Sequence, residues 1–307
     1  MNKRKNEVVC LVGPTAVGKS RIAYQLAKKI NGQIISADSM QVYKGLPILT
    51  NCPPLAMRRT IPHHLVAIID LTKEFNVAKF VRLSERAIRL VLKKGKVPII
   101  AGGSGLYVNA LLDGVFKGPG QDASLRKRLE KQARKNGKDH LYRMLQGLDP
   151  QAALEIHPNN LQRIIRALEV CMKTGKKMSE IKKNRKGIWS NFDVRFIGLK
   201  RERNKLYDLI NSRVDMMFRQ GAAREVKDAL NVRLSKTAGQ IIGIKEIAGY
   251  FRKEYNKDEA KRLLKRNSRH LAKRQMTWFK RDKRINWLEI KENQKTKDIV
   301  GRILKLI

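Results

Sequence analysis

The sequence predicts an α/β protein, a mostly parallel sheet flanked by helices and interrupted by a helical insertion. Three observations carry this reading. Short apolar, β-rich runs alternate with amphipathic helical runs over the first 118 residues, the order a parallel sheet requires. Glycine-rich turns follow two of those runs directly. Strand signals then vanish until residue 194.

The elements follow in order. "VVCLV" (8–12) is an apolar run stopped by Gly13-Pro14 and reads as a buried strand and a turn. "SRIAYQLAKKI" (20–30) places Ile22, Ala23, Leu26, Ala27 and Ile30 on one helical face before Asn31-Gly32 ends it. "QIISA" (33–37) is the second strand, and it runs into the polar group Asp38-Ser39-Met40-Gln41. "VAKFVRLSERAIRLVLKK" (77–94) is an amphipathic helix closed by Gly95, and "VPIIA" is a third strand entering Gly102-Gly103. "KGPGQD" (117–122) reads as a linker, and the segments after it are polar and helical. "VRFIGL" (194–199) returns to the sheet, and the remainder from 203 is mainly helical and basic. Residues 1–118 and 191–307 are therefore assigned to the core, and 119–190 to the insertion.

Composition narrows the partners. A formal net charge of +40 implies a polyanion, with nucleic acid favoured over an anionic membrane surface. The excess is spread along the whole chain, unlike a detachable basic arm. Cys10, Cys52 and Cys171 lie far apart without C-x-x-C spacing, as expected of free thiols in a reducing compartment. No segment reaches the roughly 20 apolar residues of a membrane span, and the apolar run near the N-terminus is too short for a signal peptide. A cytoplasmic monomer is the expectation.

Gly13-Pro14-Thr15-Ala16-Val17-Gly18-Lys19-Ser20 fits G-x-x-x-x-G-K-[ST] between a predicted strand and a predicted helix, the context that confirms a phosphate-binding P-loop. Backbone N–H groups and the helix start cradle a di- or triphosphate such as that of ATP. Lys19 adds a point charge, and Ser20 can hold Mg²⁺. The core is therefore expected to be P-loop NTPase-like. Nothing in this motif establishes hydrolysis or phosphoryl transfer. An ATPase needs a metal-binding carboxylate after a second apolar strand, a form that "LVAIID" (65–70, ending in Asp70) and "QIISAD" (33–38) both have. On residues alone, Asp38 is open to three readings: metal ligand, catalytic base, or a cap of its own loop.

Taken together, "GPTAVGKS" (13–20), "IISADSMQVYKGL" (34–46), "PHHL" (62–65), "AGGSGLYVNALLDG" (101–114), "NLQRIIRALEV" (160–170), "GQIIGIKE" (239–246) and "RHLAKRQMTWF" (269–279) resemble the tRNA dimethylallyltransferase (tRNA isopentenyltransferase) family. The stretches occur in the family's order and span nearly the whole chain. The resemblance implies that dimethylallyl diphosphate is held in the P-loop with Mg²⁺. It further implies attack by the exocyclic amine of the adenosine 3′-adjacent to the anticodon, with diphosphate leaving. The absence of a Cys/His zinc finger after "AKRQMTWF" suggests the short, bacterial-type form.

The same resemblance assigns roles. Asp38 matches the carboxylate that accepts the amine proton, and Ser104 a hydroxyl near the reacting groups. Gly13 to Ser20 and Arg213 match the diphosphate site. Ser39, Met40 and Gln41, with Asp38 and Ser104, match contacts to tRNA, as do Arg126, the stretch Gln162, Arg163, Ile164, Ile165 and Arg166, and the stretch Gln240, Ile241, Ile242, Gly243, Ile244 and Lys245. The insertion is expected to clamp the anticodon stem-loop. Ile164 and Ile165 also suit a core, and Met40 suits simple packing. His63-His64 reads as structural. One loop departs from the family pattern "GLDIGTAKP": here 45–53 reads "GLPILTNCP", with Leu49 for a glycine and Cys52 for a lysine. Three rivals remain: an adenylate isopentenyltransferase acting on free nucleotide, a P-loop small-molecule kinase, and a non-catalytic RNA-binding protein.

Overall fold

The computed structural model describes residues 6–116, 118–183 and 185–307, with only the backbone of Lys138. The basic residues 1–5 and Lys117 of the expected linker lie outside them.

Residues 8–12 alternate their side chains between the two faces of a sheet, as the period of a strand dictates. Val8, Cys10 and Val12 enter one apolar cluster, and Val9 and Leu11 enter another. Both faces are thus buried, which explains why the strand reads as an unbroken apolar run. This strand is β1 (Glu7–Val12), followed by α1 (Lys19–Lys29) and β2 (Gly32–Ser36). Next come α2 (Leu55–Thr60), β3 (His63–His64), α3 (Val77–Lys93), β4 (Val97–Gly102) and α4 (Gly105–Asp113).

Five helices follow: α5 (Ala123–Asn136), α6 (Lys138–Leu148), α7 (Pro150–Glu155), α8 (Leu161–Thr174) and α9 (Met178–Lys183). The chain then forms β5 (Asp193–Lys200), α10 (Arg203–Arg219), α11 (Ala222–Ala229), α12 (Ile244–Phe251), α13 (Lys257–Phe279), β6 (Asn286–Glu289) and α14 (Thr296–Leu304).

The strand order is β3-β2-β4-β1-β5-β6, and every pairing is parallel. Register brings Val12 level with Gly102, and Ser36 level with Ala101. The carboxyl ends of β1, β4 and β2 therefore finish side by side. In an open parallel sheet this edge is where ligands bind.

The chain divides into two compact units, residues 1–112 with 188–307, and residues 113–187. The second begins at 113 where 119 was expected, and ends at 187 where 190 was expected. It has its own core of Leu125, Leu129, Leu141, Leu145, Ile164 and Leu168. Inside it the buried carboxylate of Asp149 accepts from the Ala152 and Ser179 N–H groups and from the Ser179 hydroxyl at 2.7 Å. The C-terminal part is mainly helical as expected, with the short strand β6 as an unread addition. The expected strand ending at Asp70 is absent: only Ile69 makes an isolated bridge, to Tyr43. Asp70 is instead an exposed partner of Lys44 at 3.2 Å.

Candidate active site

The P-loop folds as its glycines allow. Gly18 caps α1 in the left-handed region at φ 105°, where a side chain would strain the backbone. The first N–H groups of α1 have no intrahelical acceptor, and Gly18, Lys19 and Ser20 line a cavity of about 320 Å³ with Thr15, Ala16, Asp38, Gln41 and Arg213. Lys19 Nζ donates to the Gly13 and Pro14 carbonyls at 2.8 and 2.6 Å. Val17 points away from this space and packs in the core beside Ile22. Gly13 and Pro14 likewise serve as framework, holding the lysine through their carbonyls.

Asp38 lies two residues beyond the end of β2, lines the cavity, and accepts from the Met40 N–H at 2.9 Å. One carboxylate oxygen is thus its own loop's cap, and the group still faces the cavity. Its neighbours are cationic. Burial pulls Lys19 down to about 8, Arg213 acts the same way, and Asp38 opposes both. Arg213, on α10, is lowered to about 10 by burial, again against Asp38. Arg213 Nη1 donates to Thr15 Oγ1 at 2.8 Å, so the guanidinium and the P-loop are already joined. Two half-buried cations and one carboxylate around a cavity form a site for an anion and a proton.

Ser104 ends the turn after β4. Its Oγ accepts from the Ser39 N–H at 3.0 Å and lies 3.2 Å from Ser39 Oγ, pinning the Asp38 loop to that turn. Gly102 permits the approach, since a Cβ there would lie 2.1 Å from the Ala37 carbonyl oxygen. Gln41 is committed within its own loop: it accepts from the Ser36 hydroxyl at 2.8 Å and donates to the Thr50 and Asn51 carbonyls at 3.3 and 3.0 Å. Met40 packs partly buried against the core.

Two participants were not foreseen. Gln275, on α13, accepts from the Thr15 N–H at 2.7 Å and lines the same cavity. One helical turn on, Trp278 covers Gly105 so closely that a Cβ would sit 2.3 Å from its ring. The stretch "AKRQMTWF" thus presents Gln275 and Trp278 on one face to the phosphate loop and the glycine turn. The second is Glu225, whose carboxylate accepts from the Ile48 and Leu49 N–H groups at 2.7 and 3.0 Å, fixing the divergent loop. Gln275 lies within the recognised stretch 269–279, but neither residue's role is marked locally, because both act through contacts distant in sequence.

Beside Thr15 and Arg213 lies a smaller, mostly apolar cavity of about 60 Å³, lined also by Leu49, Ile210, Val214, Met217, Ile242, Leu264 and Leu271. Its neighbourhood corrects part of the expected RNA contacts. Ile241 and Ile244 are buried, Ile242 faces this cavity, and Gly243 begins α12 beneath Leu49. Only Gln240 and Lys245 of that stretch are exposed.

In the second unit, Ile164 and Ile165 belong to the core and have no surface to offer. Arg126 and Arg166 converge on the buried carboxylate of Glu169 at 2.7 and 2.5 Å, and the Asp122 N–H donates to it at 2.7 Å. Gln162 and Arg163 remain exposed. His63 and His64 pair with the Ile61 carbonyl and the Gln33 side chain at 2.7 and 2.8 Å, and burial lowers the pKa of each.

Among the described residues no group of three or more His, Cys, Asp or Glu gathers as a metal cage. Mg²⁺ bound chiefly by ligand oxygens and water needs only one or two protein oxygens. Ser20, which lines the cavity, has a hydroxyl of that kind.

The IPP transferase family model matches residues 41–282, and an isopentenyl transferase model matches residues 6–54. A tRNA dimethylallyltransferase of Halothermothrix orenii is 44% identical over 97% of this chain and 92% of its own length. One from Thermotoga petrophila is 43% identical over 92% of each. Among solved structures, a full-length tRNA isopentenylpyrophosphate transferase of Bacillus halodurans superposes with a TM-score of 0.70 at 37% identity, covering 98% of this chain and 96% of that one. A eukaryotic dimethylallyltransferase acting on tRNA superposes with a TM-score of 0.83 at 30% identity, covering 97% and 78%.

Proposed function

The chain belongs to the IPP transferase family, and from that premise we propose that it moves a dimethylallyl group from dimethylallyl diphosphate to an adenosine of tRNA. The acceptor is the exocyclic amine of the adenosine 3′-adjacent to the anticodon. The observation that carries this reading is the pairing of an anion cradle with one carboxylate across the same cavity. Lys19, Arg213 and Thr15 stand on the diphosphate side, and Asp38, one oxygen of which caps its own loop, faces the same cavity toward the nucleobase.

The chemistry then follows the layout. Diphosphate is held by the N–H groups at the start of α1, by Lys19 and by Arg213, whose burial strengthens each interaction. The apolar cavity lined by Ile210, Val214, Met217 and Leu264 receives the five-carbon tail. The adenine amine is a poor nucleophile because its lone pair is delocalised into the ring. Asp38 accepts a hydrogen bond from that amine and takes its proton as the new N–C bond forms. The allylic C–O bond breaks, and its electron pair leaves with diphosphate, where Lys19 and Arg213 stabilise the charge. No phosphoryl group moves. Mg²⁺, with the Ser20 hydroxyl as its protein ligand, would supply further charge neutralisation at the diphosphate. The mostly apolar cavity beside Thr15 and Arg213 suits a hydrocarbon tail better than the polar acceptor of a small-molecule kinase.

The test offers labelled dimethylallyl diphosphate to undermodified tRNA, to adenosine monophosphate and to no acceptor. Label is expected in tRNA alone; label confined to the mononucleotide would overturn the reading in favour of an adenylate isopentenyltransferase.

A further inference from the structure

We propose that Leu49 sets the length of prenyl chain this protein accepts as donor. The inference rests on the tail position given above. Of the residues lining the apolar cavity, Ile210, Arg213, Val214 and Met217 come from α10, and Leu264, Ser268 and Leu271 from α13. These are side chains of packed helices, and a close-packed interior does not yield space to a longer ligand. Thr15, Ile242 and Leu49 reach the cavity from outside any helix or strand, and of these Leu49 alone belongs to the loop 45–53, which departs from the family pattern.

The loop nevertheless holds it in place. The Ile48 and Leu49 N–H groups are both bound by the Glu225 carboxylate. Thr50 bonds back to the Leu46 carbonyl through its N–H at 3.0 Å and its hydroxyl at 2.8 Å. Leu49 is only 6% exposed. Retreat is also blocked, since its Cδ2 already lies where a Cβ on Gly243 would be 2.5 Å away. The isobutyl group therefore occupies volume that a second isoprene unit would need. A five-carbon tail fits beside it; a ten-carbon tail meets it.

Calorimetric binding of inorganic pyrophosphate, of a dimethylallyl thiodiphosphate and of a geranyl thiodiphosphate distinguishes the possibilities. The wild type is expected to gain affinity over pyrophosphate from the five-carbon tail only. In Leu49→Ala the geranyl-to-dimethylallyl affinity ratio should rise about tenfold or more, in line with the discrimination a few methylenes give in an apolar pocket. In Leu49→Phe dimethylallyl binding should weaken while pyrophosphate binding is unchanged. A ratio that stays at the wild-type value in folded Leu49→Ala, or unaltered dimethylallyl binding in folded Leu49→Phe, overturns the gate alone. A wild type that does not bind pyrophosphate overturns the donor site and the gate together.

Discussion

Lys19 is held among carbonyls and cations before any ligand arrives, and this gives its binding a pH dependence with a definite sign. Its pKa, drawn down to about 8 by burial, means that the ammonium is present below that pH and lost above it. An incoming anion favours the charged form, so binding above pH 8 requires proton uptake. Pyrophosphate affinity should therefore fall as pH rises through about 8, approaching tenfold per pH unit; Lys19→Arg should abolish the inflection in a calorimetric pH series. Asp38→Asn keeps the shape and removes the base. It should retain pyrophosphate binding and lose about 10²-fold or more in single-turnover transfer, whereas near-normal turnover would remove Asp38 from the chemistry. Gln275→Leu strips the Thr15 N–H of its acceptor, so the KM for the donor should rise severalfold with tRNA affinity unchanged. Lys19, Ser20 and Asp38 were legible in the sequence because a motif and a strand end mark them. Gln275 and Glu225 were not, since an amide or carboxylate on a polar helix carries no local signature of a partner far along the chain.

Among elements, α8 shows how a helix that reads as an RNA-facing stretch can be mainly structural. "NLQRIIRALEV" presents Ile164, Ile165 and Leu168 to the core and uses Arg166 to close on Glu169 one turn later. Helical spacing was readable; the carboxylate hidden beneath two arginines was not, because Arg126 comes from α5. Burial alone would raise the pKa of Glu169, but the bonds from Arg126, the Asp122 N–H and Arg166 outweigh it and hold it at about 2. The folded pKa lies below the ordinary value, so this stabilisation is complete above about pH 4.5 and fades as pH falls toward 2. Glu169→Gln should cost about 2 kcal/mol at pH 7, and thermal melts of variant and wild type should converge near pH 2. β6 escaped sequence reading because four residues, "NWLE", are too short to display an alternation. Asp70 misled for the opposite reason, since an apolar run before it imitates a strand that does not form.

At the scale of the whole molecule the charge is the dominant fact. With +40 spread along the chain, phosphate contacts should release many counterions when tRNA binds. Affinity for tRNA is expected to fall by about tenfold or more between 50 and 200 mM salt, measured by filter binding or fluorescence anisotropy; a flat response would mean that the excess serves no polyanion. The fold class and the helical insertion were readable from alternation and its loss. The placing of β5 beside β1, across the whole insertion, was not, because parallel partners leave no trace of their order in local patterning.

That placing bears on how the protein is made. β1 and the phosphate loop are the first parts of the fold to leave the ribosome, yet β1 is flanked by β4 and β5. The loop's Thr15 N–H waits for Gln275, 260 residues later. Contacts so distant in sequence close late. A nascent chain thus carries the complete phosphate motif long before β5 and Gln275, which complete its surroundings, have been made. A chain broken off before α13 would carry the phosphate loop, Lys19 and Arg213, and would lack Gln275, the acceptor that fixes the Thr15 N–H.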